Sequence, residues 1–325
     1  MKAFQYHNSL GGLKLRDIPV PEPGHGEVQL EVRAAGMCHS DCHFLSGKGD
    51  ALLPDRPITL GHEVSGIITK LGEGVTDFSV GDRVTVAQIC YPIEDRHWAL
   101  GIGLGFDGGY ARYAITPTDR LKHIPDGVSF AQAAVATDAL ATSYHAVVTE
   151  TGAKPGMAIG VIGLGGLGMS GLRFAVLKGA TVYGIDIVED KFDEATKNGA
   201  KGCFKSVAET KDLKLDAIVD FVGTGSSTEE ALTSVKPGGK VVLVGLASDK
   251  VTVSTHAFIL DTVTLAGSLG SSLDDLVEVL KLLEQGLIDP LLVEVPFSEI
   301  PASIDALSKG GVMGRLWANP SLGLE

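Results

Sequence analysis

The run Gly163-Leu164-Gly165-Gly166-Leu167-Gly168 constrains the fold of this chain more than any other feature. In a sequence with 42 glycines an isolated match would carry little, so its surroundings decide. An apolar segment with strand character, Ala158 to Ile162, precedes it, and a stretch with helical periodicity, Leu167 to Leu177, follows. Glycines at these spacings permit a tight strand-to-helix turn, close approach of the backbone to a pyrophosphate, and close packing of helix on strand. The helix N-terminus adds free N–H groups and positive potential. A second strand, Thr181 to Ile185, ends at Asp186. A carboxylate there accepts hydrogen bonds from ribose hydroxyls and repels a 2′-phosphate, which favours NAD(H) over NADP(H). Lys191, beside the same ribose, works slightly against that preference. Cofactor contacts are expected from Gly163, Gly165, Gly166, Leu167, Gly168, Asp186 and Lys191. The fingerprint by itself equally suits FAD and S-adenosylmethionine.

The rest of the chain fits an α/β protein with two textures. From Met157 onward, strands and helices alternate, with further strands at 217–221, 240–244 and 263–267 and helices at 190–198 and 228–234. Such alternation builds a doubly wound parallel sheet, the Rossmann arrangement. The first 130 residues read instead as short strands separated by glycine turns, among them 27–32, 64–71 and 83–86. Phe130 to Thr149 is alanine-rich and helical in pattern, and 273–285 is amphipathic. The stretch 300–307 is mixed in pattern. The division these textures suggest is a β-rich domain followed by a nucleotide-binding domain, with the change of texture near residue 130.

Composition narrows the partners. The chain has 325 residues, enough for two cores, and a net charge of −13. That charge argues against nucleic acid or an anionic membrane as a main partner. No apolar run approaches a membrane span, and Met1 to Tyr6 lacks the core of a secretory signal. Four cysteines are too few for a disulfide framework at this length, so reduced thiols and a cytoplasmic location are expected.

Cys38 and His62 raise the question of a metal. Thiolate and imidazole suit zinc, and catalytic zinc takes three protein ligands and leaves one position open. The series Gly36-Met37-Cys38-His39-Ser40-Asp41-Cys42-His43, Gly61-His62-Glu63, Gly81-Asp82-Arg83-Val84 and the glycine fingerprint resembles the zinc-dependent alcohol dehydrogenases of the medium-chain dehydrogenase/reductase superfamily. The resemblance runs to Gly314-Arg315.

It implies a GroES-like β-rich catalytic domain over 1–140, completed by 268–325, a Rossmann NAD-binding domain over 141–267, an active site in the cleft between the domains, and a homodimer or homotetramer. It makes Cys38 and His62 zinc ligands. Many members supply a second cysteine as the third ligand. This chain has Thr137-Asp138-Ala139 in the matching stretch, similar to a branch in which aspartate ligates, so Asp138 is assigned. Glu63 is expected beside the metal, either as an exchangeable fourth ligand or as a group supporting the ligands from behind, and Asp41 behind His62. Ser40 and His43 match a proton relay, His39 and Arg315 match pyrophosphate contacts, and Thr142 matches a threonine packed on the nicotinamide. The implied reaction interconverts an alcohol and an aldehyde or ketone, with zinc as Lewis acid and hydride exchanged with NAD(H).

Most members also carry four clustered cysteines for a structural zinc after the Gly-Asp-Arg-Val stretch. Here only Cys90 stands in that region, so a single catalytic zinc is expected, with His97 and Trp98 packing the shortened loop. Two alternatives share the scaffold. One is a zinc-dependent reductase of C=N or conjugated C=C bonds. The other is a metal-free quinone-reductase-like or binding protein.

Overall fold

The structure, a computed structural model, describes residues 1–8, 10–50, 53–54, 56–310 and 312–322. The chain divides into two compact units, Met1–Ala139 with Ser271–Glu325, and Leu140–Gly270.

The first unit is built on strand Glu27–Gly36. Its alternating apolar side chains Val28, Leu30 and Val32 are buried, while Glu31 pairs outward with Arg33 and Arg112. The strand continues past the alternating stretch because Ala34 and Ala35 are small enough to be enclosed on both faces. It pairs antiparallel with Glu63–Leu71, with Gly36 opposite Glu63. That register brings the residues just after one strand, Met37 and Cys38, beside the residue just before the other, His62. The sheet runs Leu292–Val295, Arg315–Ala318, Glu27–Gly36, Glu63–Leu71, Arg83–Val86, Leu121–His123, and Tyr113–Pro117 also pairs with Glu27–Gly36. A smaller sheet places Lys2–Tyr6 between Lys14–Asp17 and Ile58–Thr59. Phe4, Tyr6, Leu30, Met37, Leu60, Ile68, Ile102 and Tyr110 fill the core between them.

The second unit holds six parallel strands. Across the sheet they run Gly202–Phe204, Thr181–Ile185, Ala158–Ile162, Leu215–Asp220, Val235–Leu243, Thr264–Gly267. Counted along the chain this is the order 3-2-1-4-5-6 of a dinucleotide-binding sheet, reversing between Ala158–Ile162 and Leu215–Asp220. Apolar clusters lie on both faces, one around Val161 and Leu172 and the other around Ile218 and Leu232. Both domain folds match the sequence expectation.

Some elements differ from what the sequence pattern suggested. The mixed stretch near the C-terminus is a helix, Ile300–Ser308, with Ile300, Ile304 and Leu307 on its buried side. The loop around Cys90 holds a strand, Ile89–Tyr91, paired with Ser271–Ser272, and two 3-10 turns. His97 is exposed and Trp98 is 38% exposed, so they do not pack that loop shut. Among the described residues no helix is long and apolar enough to cross a membrane.

Candidate functional site

Cys38 precedes helix His39–Leu45, and its backbone N–H donates to Oδ2 of Asp41 in the first turn at 2.9 Å. This fixes the angle at which the chain turns from strand into helix and aims the Cys38 side chain inward. His62 enters from the neighbouring strand. Asp138 arrives on a π turn, Ala136–Leu140, that follows helix Phe130–Val135. A π turn re-aims one side chain out of helical register and recurs at functional positions. The sequence pattern showed the helix and not this local widening.

Ligating atoms of Cys38, His62 and Asp138 lie within 4.8 Å of one another. Cys38 and His62 are buried, and the Asp138 side chain keeps 21% exposure. His62 Nε2 faces Asp138 Oδ2 at 3.7 Å, and Nδ1 faces Asp41 Oδ1 at 3.7 Å. Sulfur, imidazole and carboxylate converging this closely are a suitable donor set for zinc. The charge state agrees. Burial would raise the Asp138 carboxyl, but hydrogen bonding from His62 and the charges of His62 and Arg315 hold it well below the usual carboxylate range. Burial disfavours a charged His62, yet Asp41, Asp138 and Cys38 together lift its pKa above the ordinary histidine value. A divalent cation would take over the role of that proton.

Glu63 does not join the three ligating groups. It is fully buried, and both of its oxygens are held by the Arg315 guanidinium, Oε2 by Nε at 3.0 Å and Oε1 by Nη2. Oε1 also accepts the Ala139 N–H at 3.1 Å. Burial pushes the Glu63 carboxyl up to about 7, against the pull of the Arg315 charge. Arg315, expected at a pyrophosphate, is itself buried here, with Nη2 also 3.4 Å from Asp138 Oδ2. The reason is electrostatic. Asp138 and Glu63 put two carboxylates side by side in a buried region, and a cation among them offsets the repulsion.

Ser40 and His43 occupy one helix, three positions apart and therefore on one face. Ser40 Oγ is 3.5 Å from Cys38 Sγ. Both residues are half-buried, and His39 is exposed.

In the second unit the three fingerprint glycines have separable roles. Gly163 has φ +86°, and a Cβ there would sit 2.5 Å from Val222. A Cβ on Gly168 would sit 1.8 Å from the Gly163 carbonyl, so helix Gly166–Leu177 packs directly on the turn. Gly165 faces open space. The turn and the packing thus need their glycines for room inside the protein, while at Gly165 the room is outside, which leaves the backbone open to close approach by a ligand. Asp186 Oδ2 accepts the Leu164 N–H at 2.8 Å and Oδ1 the Val188 N–H at 2.9 Å. Lys191 Nζ sits on Oδ2 at 2.8 Å, so its charge is directed at Asp186. Thr142 is buried on Ala141–Tyr144, a short helix that Ser143 ties to the Leu167 carbonyl at 2.8 Å.

Three residues of these sites had no local signal in the sequence. Tyr110 donates to Asp41 Oδ2 at 2.8 Å. The Gln88 amide donates to the His62 carbonyl at 3.2 Å and the Ile102 carbonyl at 3.0 Å. Asp220 ends the strand next to the glycine turn and accepts from the Val222 and Gly223 N–H groups and the Ser227 and Thr228 hydroxyls.

Comparison with known proteins agrees with the geometry. Residues 24–126 match the family described as alcohol dehydrogenase GroES-like domain, and residues 166–285 match zinc-binding dehydrogenase. An alcohol dehydrogenase of Geobacillus stearothermophilus is 30% identical, covering 97% of this chain and 98% of its own. An NAD-dependent alcohol dehydrogenase of Sulfurisphaera tokodaii is 30% identical, covering 93% and 95%. Among solved structures, acetophenone reductase from Geotrichum candidum in complex with NAD superposes with a TM-score of 0.88 at 30% identity, covering 98% of this chain and 97% of that one. The alcohol dehydrogenase of Aeropyrum pernix gives 0.89 at 28% identity, covering 98% and 100%. With both domains matched and similarity spanning nearly the full length, the chain belongs to the zinc-binding alcohol dehydrogenases of the medium-chain superfamily.

Proposed function

We propose that the protein is an NAD(H)-dependent alcohol dehydrogenase that interconverts a small-molecule alcohol with its aldehyde or ketone, with one zinc ion held by Cys38, His62 and Asp138. The observation that carries this is the convergence of three dissimilar ligating groups within 4.8 Å. When bound, zinc supplies a Lewis acid for the substrate oxygen and NAD(H) the partner for hydride.

The chain's own residues do the rest. Cys38 and Asp138 bring negative charge to the site, and His62 offers Nε2 while Asp41 orients its ring from behind. Ser40 hydrogen-bonds the substrate oxygen and takes the alcohol proton while releasing its own, which the nicotinamide ribose hydroxyl and His43, one turn along the same helix, pass to solvent. Asp186 binds the adenosine ribose and Gly165 admits the pyrophosphate. Gly163, Gly166, Leu167 and Gly168 shape that turn. Thr142 packs on the nicotinamide ring, and His39 reaches the pyrophosphate. Glu63 and Arg315 hold each other. A role for Arg315 at the pyrophosphate, or for Glu63 as a transient ligand, requires that pair to open.

NAD(H) is preferred over NADP(H) because Lys191 is engaged by Asp186 and a 2′-phosphate would meet a carboxylate. A single ion is proposed because Cys90 is the one thiol of the shortened loop. The same reading includes a cytoplasmic location, argued from four cysteines being too few for a disulfide framework, and a homodimer or homotetramer, supported by Ile259 and Leu260, which are 73% and 71% exposed near the edge strand Thr264–Gly267.

The test is zinc stoichiometry together with a screen of alcohols and carbonyls against both cofactors. About one zinc per chain and NAD-linked turnover are expected. Ser40→Ala should lower kcat by roughly 10²-fold or more, and His43→Ala by less, with recovery in imidazole buffer. Metal-free protein, or no oxidation of any alcohol, contradicts the proposal.

A further inference from the structure

Asp41 is fully buried, and its two oxygens are treated unequally. Oδ2 accepts two hydrogen bonds, from the Cys38 N–H at 2.9 Å and the Tyr110 hydroxyl at 2.8 Å. Oδ1 has no hydrogen-bond partner. It faces His62 Nδ1, likewise without one, across 3.7 Å. Two buried polar atoms left open toward each other are poised to bond, since neither has another way to be satisfied.

The Tyr110 hydroxyl has one proton and two acceptors in reach, Asp41 Oδ2 and the Gly36 carbonyl at 3.2 Å. The carboxylate is nearer and charged, so it receives the proton. The phenol ring has little freedom to aim elsewhere. Tyr110 is fully buried, and its N–H is bonded to the Leu60 carbonyl at 2.9 Å. Its ring lies 2.6 Å from where a Cβ on Gly61 would be, and Gly61 has φ +95°, so ring and backbone occupy one another's space just before His62.

We propose that Tyr110 is a positioning residue of the metal site: its hydroxyl commits Asp41 Oδ2 and so leaves Oδ1 to hold the His62 ring at Nδ1. The inference rests on the reading of Cys38, His62 and Asp138 as metal ligands. Without the hydroxyl the carboxylate keeps a single donor on Oδ2, and its terminal torsion, which is intrinsically broad, no longer has one preferred setting. His62 then loses a fixed partner, and the ion it ligates is held less tightly.

The experiment is the rate of zinc loss from the purified holoenzyme to a chromogenic chelator. It compares wild type, Tyr110→Phe, Asp41→Asn, the double variant, and Tyr6→Phe. Tyr6 is the control for loss of a buried phenol hydroxyl in the same core. Its hydroxyl bonds to the Phe44 carbonyl at 2.6 Å and to Asp50. Asp41→Asn should release zinc ~10–100-fold faster, as expected for the loss of a direct partner of a ligating histidine. Tyr110→Phe should do so ~3–10-fold faster, an indirect effect smaller than that. Tyr6→Phe should match wild type, and Tyr110→Phe should add nothing in the Asp41→Asn background because both act through one carboxylate. The proposal is overturned if Tyr110→Phe releases zinc at the wild-type rate, if Tyr6→Phe releases it as fast as Tyr110→Phe, or if the two site variants add independently. Wild-type protein that retains no zinc at all removes the metal reading itself, a failure distinct from the others.

Discussion

Asp138 is the residue on which the proposed metal site turns. Cys38 and His62 were legible from residue type, because thiolate and imidazole are strong ligands and each stands in a distinctive short motif. Asp138 was legible only through resemblance. Its neighbours Thr137 and Ala139 are unremarkable, and the π turn that delivers it leaves no mark in apolar periodicity. The Glu63–Arg315 pair was not legible at all, since its members lie at opposite ends of the chain and meet only when strand Arg315–Ala318 joins the central sheet. Asp138→Ala should therefore lose zinc and at least about 10²-fold in kcat/KM, the larger end of what a lost ligand or its supporting group costs. Asp138→Cys should retain zinc, because it restores the two-sulfur, one-nitrogen set that zinc accepts equally well. Metal analysis and steady-state kinetics on the two variants check this. Stoichiometric zinc in Asp138→Ala would show that the carboxylate is not a ligand.

At the scale of elements, the glycine turn and its flanking strand and helix could be located to within a residue or so. Here periodicity, glycine spacing and the following acid all point the same way. What lies across the crevice from it could not. Asp220 takes four donors, two of them backbone N–H groups of the next turn, and Val222 of that turn contacts Gly163. Its partners are set by the fold of the turn, not by composition. Asp220→Ala strands those N–H groups and should lower stability by about 3 kcal/mol, measured by denaturant unfolding. Asp186 makes a different prediction. Its carboxylate anchors the glycine turn through Leu164 and also faces the expected ribose. Asp186→Ala should cost roughly 10–100-fold in kcat/KM with NAD, the worth of one charge-assisted hydrogen bond. It should cost NADP(H) turnover less, so the ratio of the two is the readout that separates recognition from mere loosening of the turn. An unchanged ratio would mean that Asp186 does not select the cofactor.

At the scale of the whole molecule, the alternation of strand and helix after Met157 and the short strands before residue 130 fixed the two architectures, since each pattern can bury its apolar face in few ways. That the loop after Arg83–Val86 holds a single thiol, Cys90, was equally plain from the sequence. How that loop folds was not, because its strand Ile89–Tyr91 finds a partner only at Ser271–Ser272. All of the chain's chemistry, in this account, converges on a single ion gripped by unlike ligands. Zinc-edge X-ray absorption of the purified enzyme tests that most directly. One zinc per chain is expected, with one sulfur at about 2.3 Å and the remaining ligands nitrogen or oxygen at about 2.0–2.2 Å. A first shell of two or more sulfurs per zinc, or protein that holds no zinc, would contradict it.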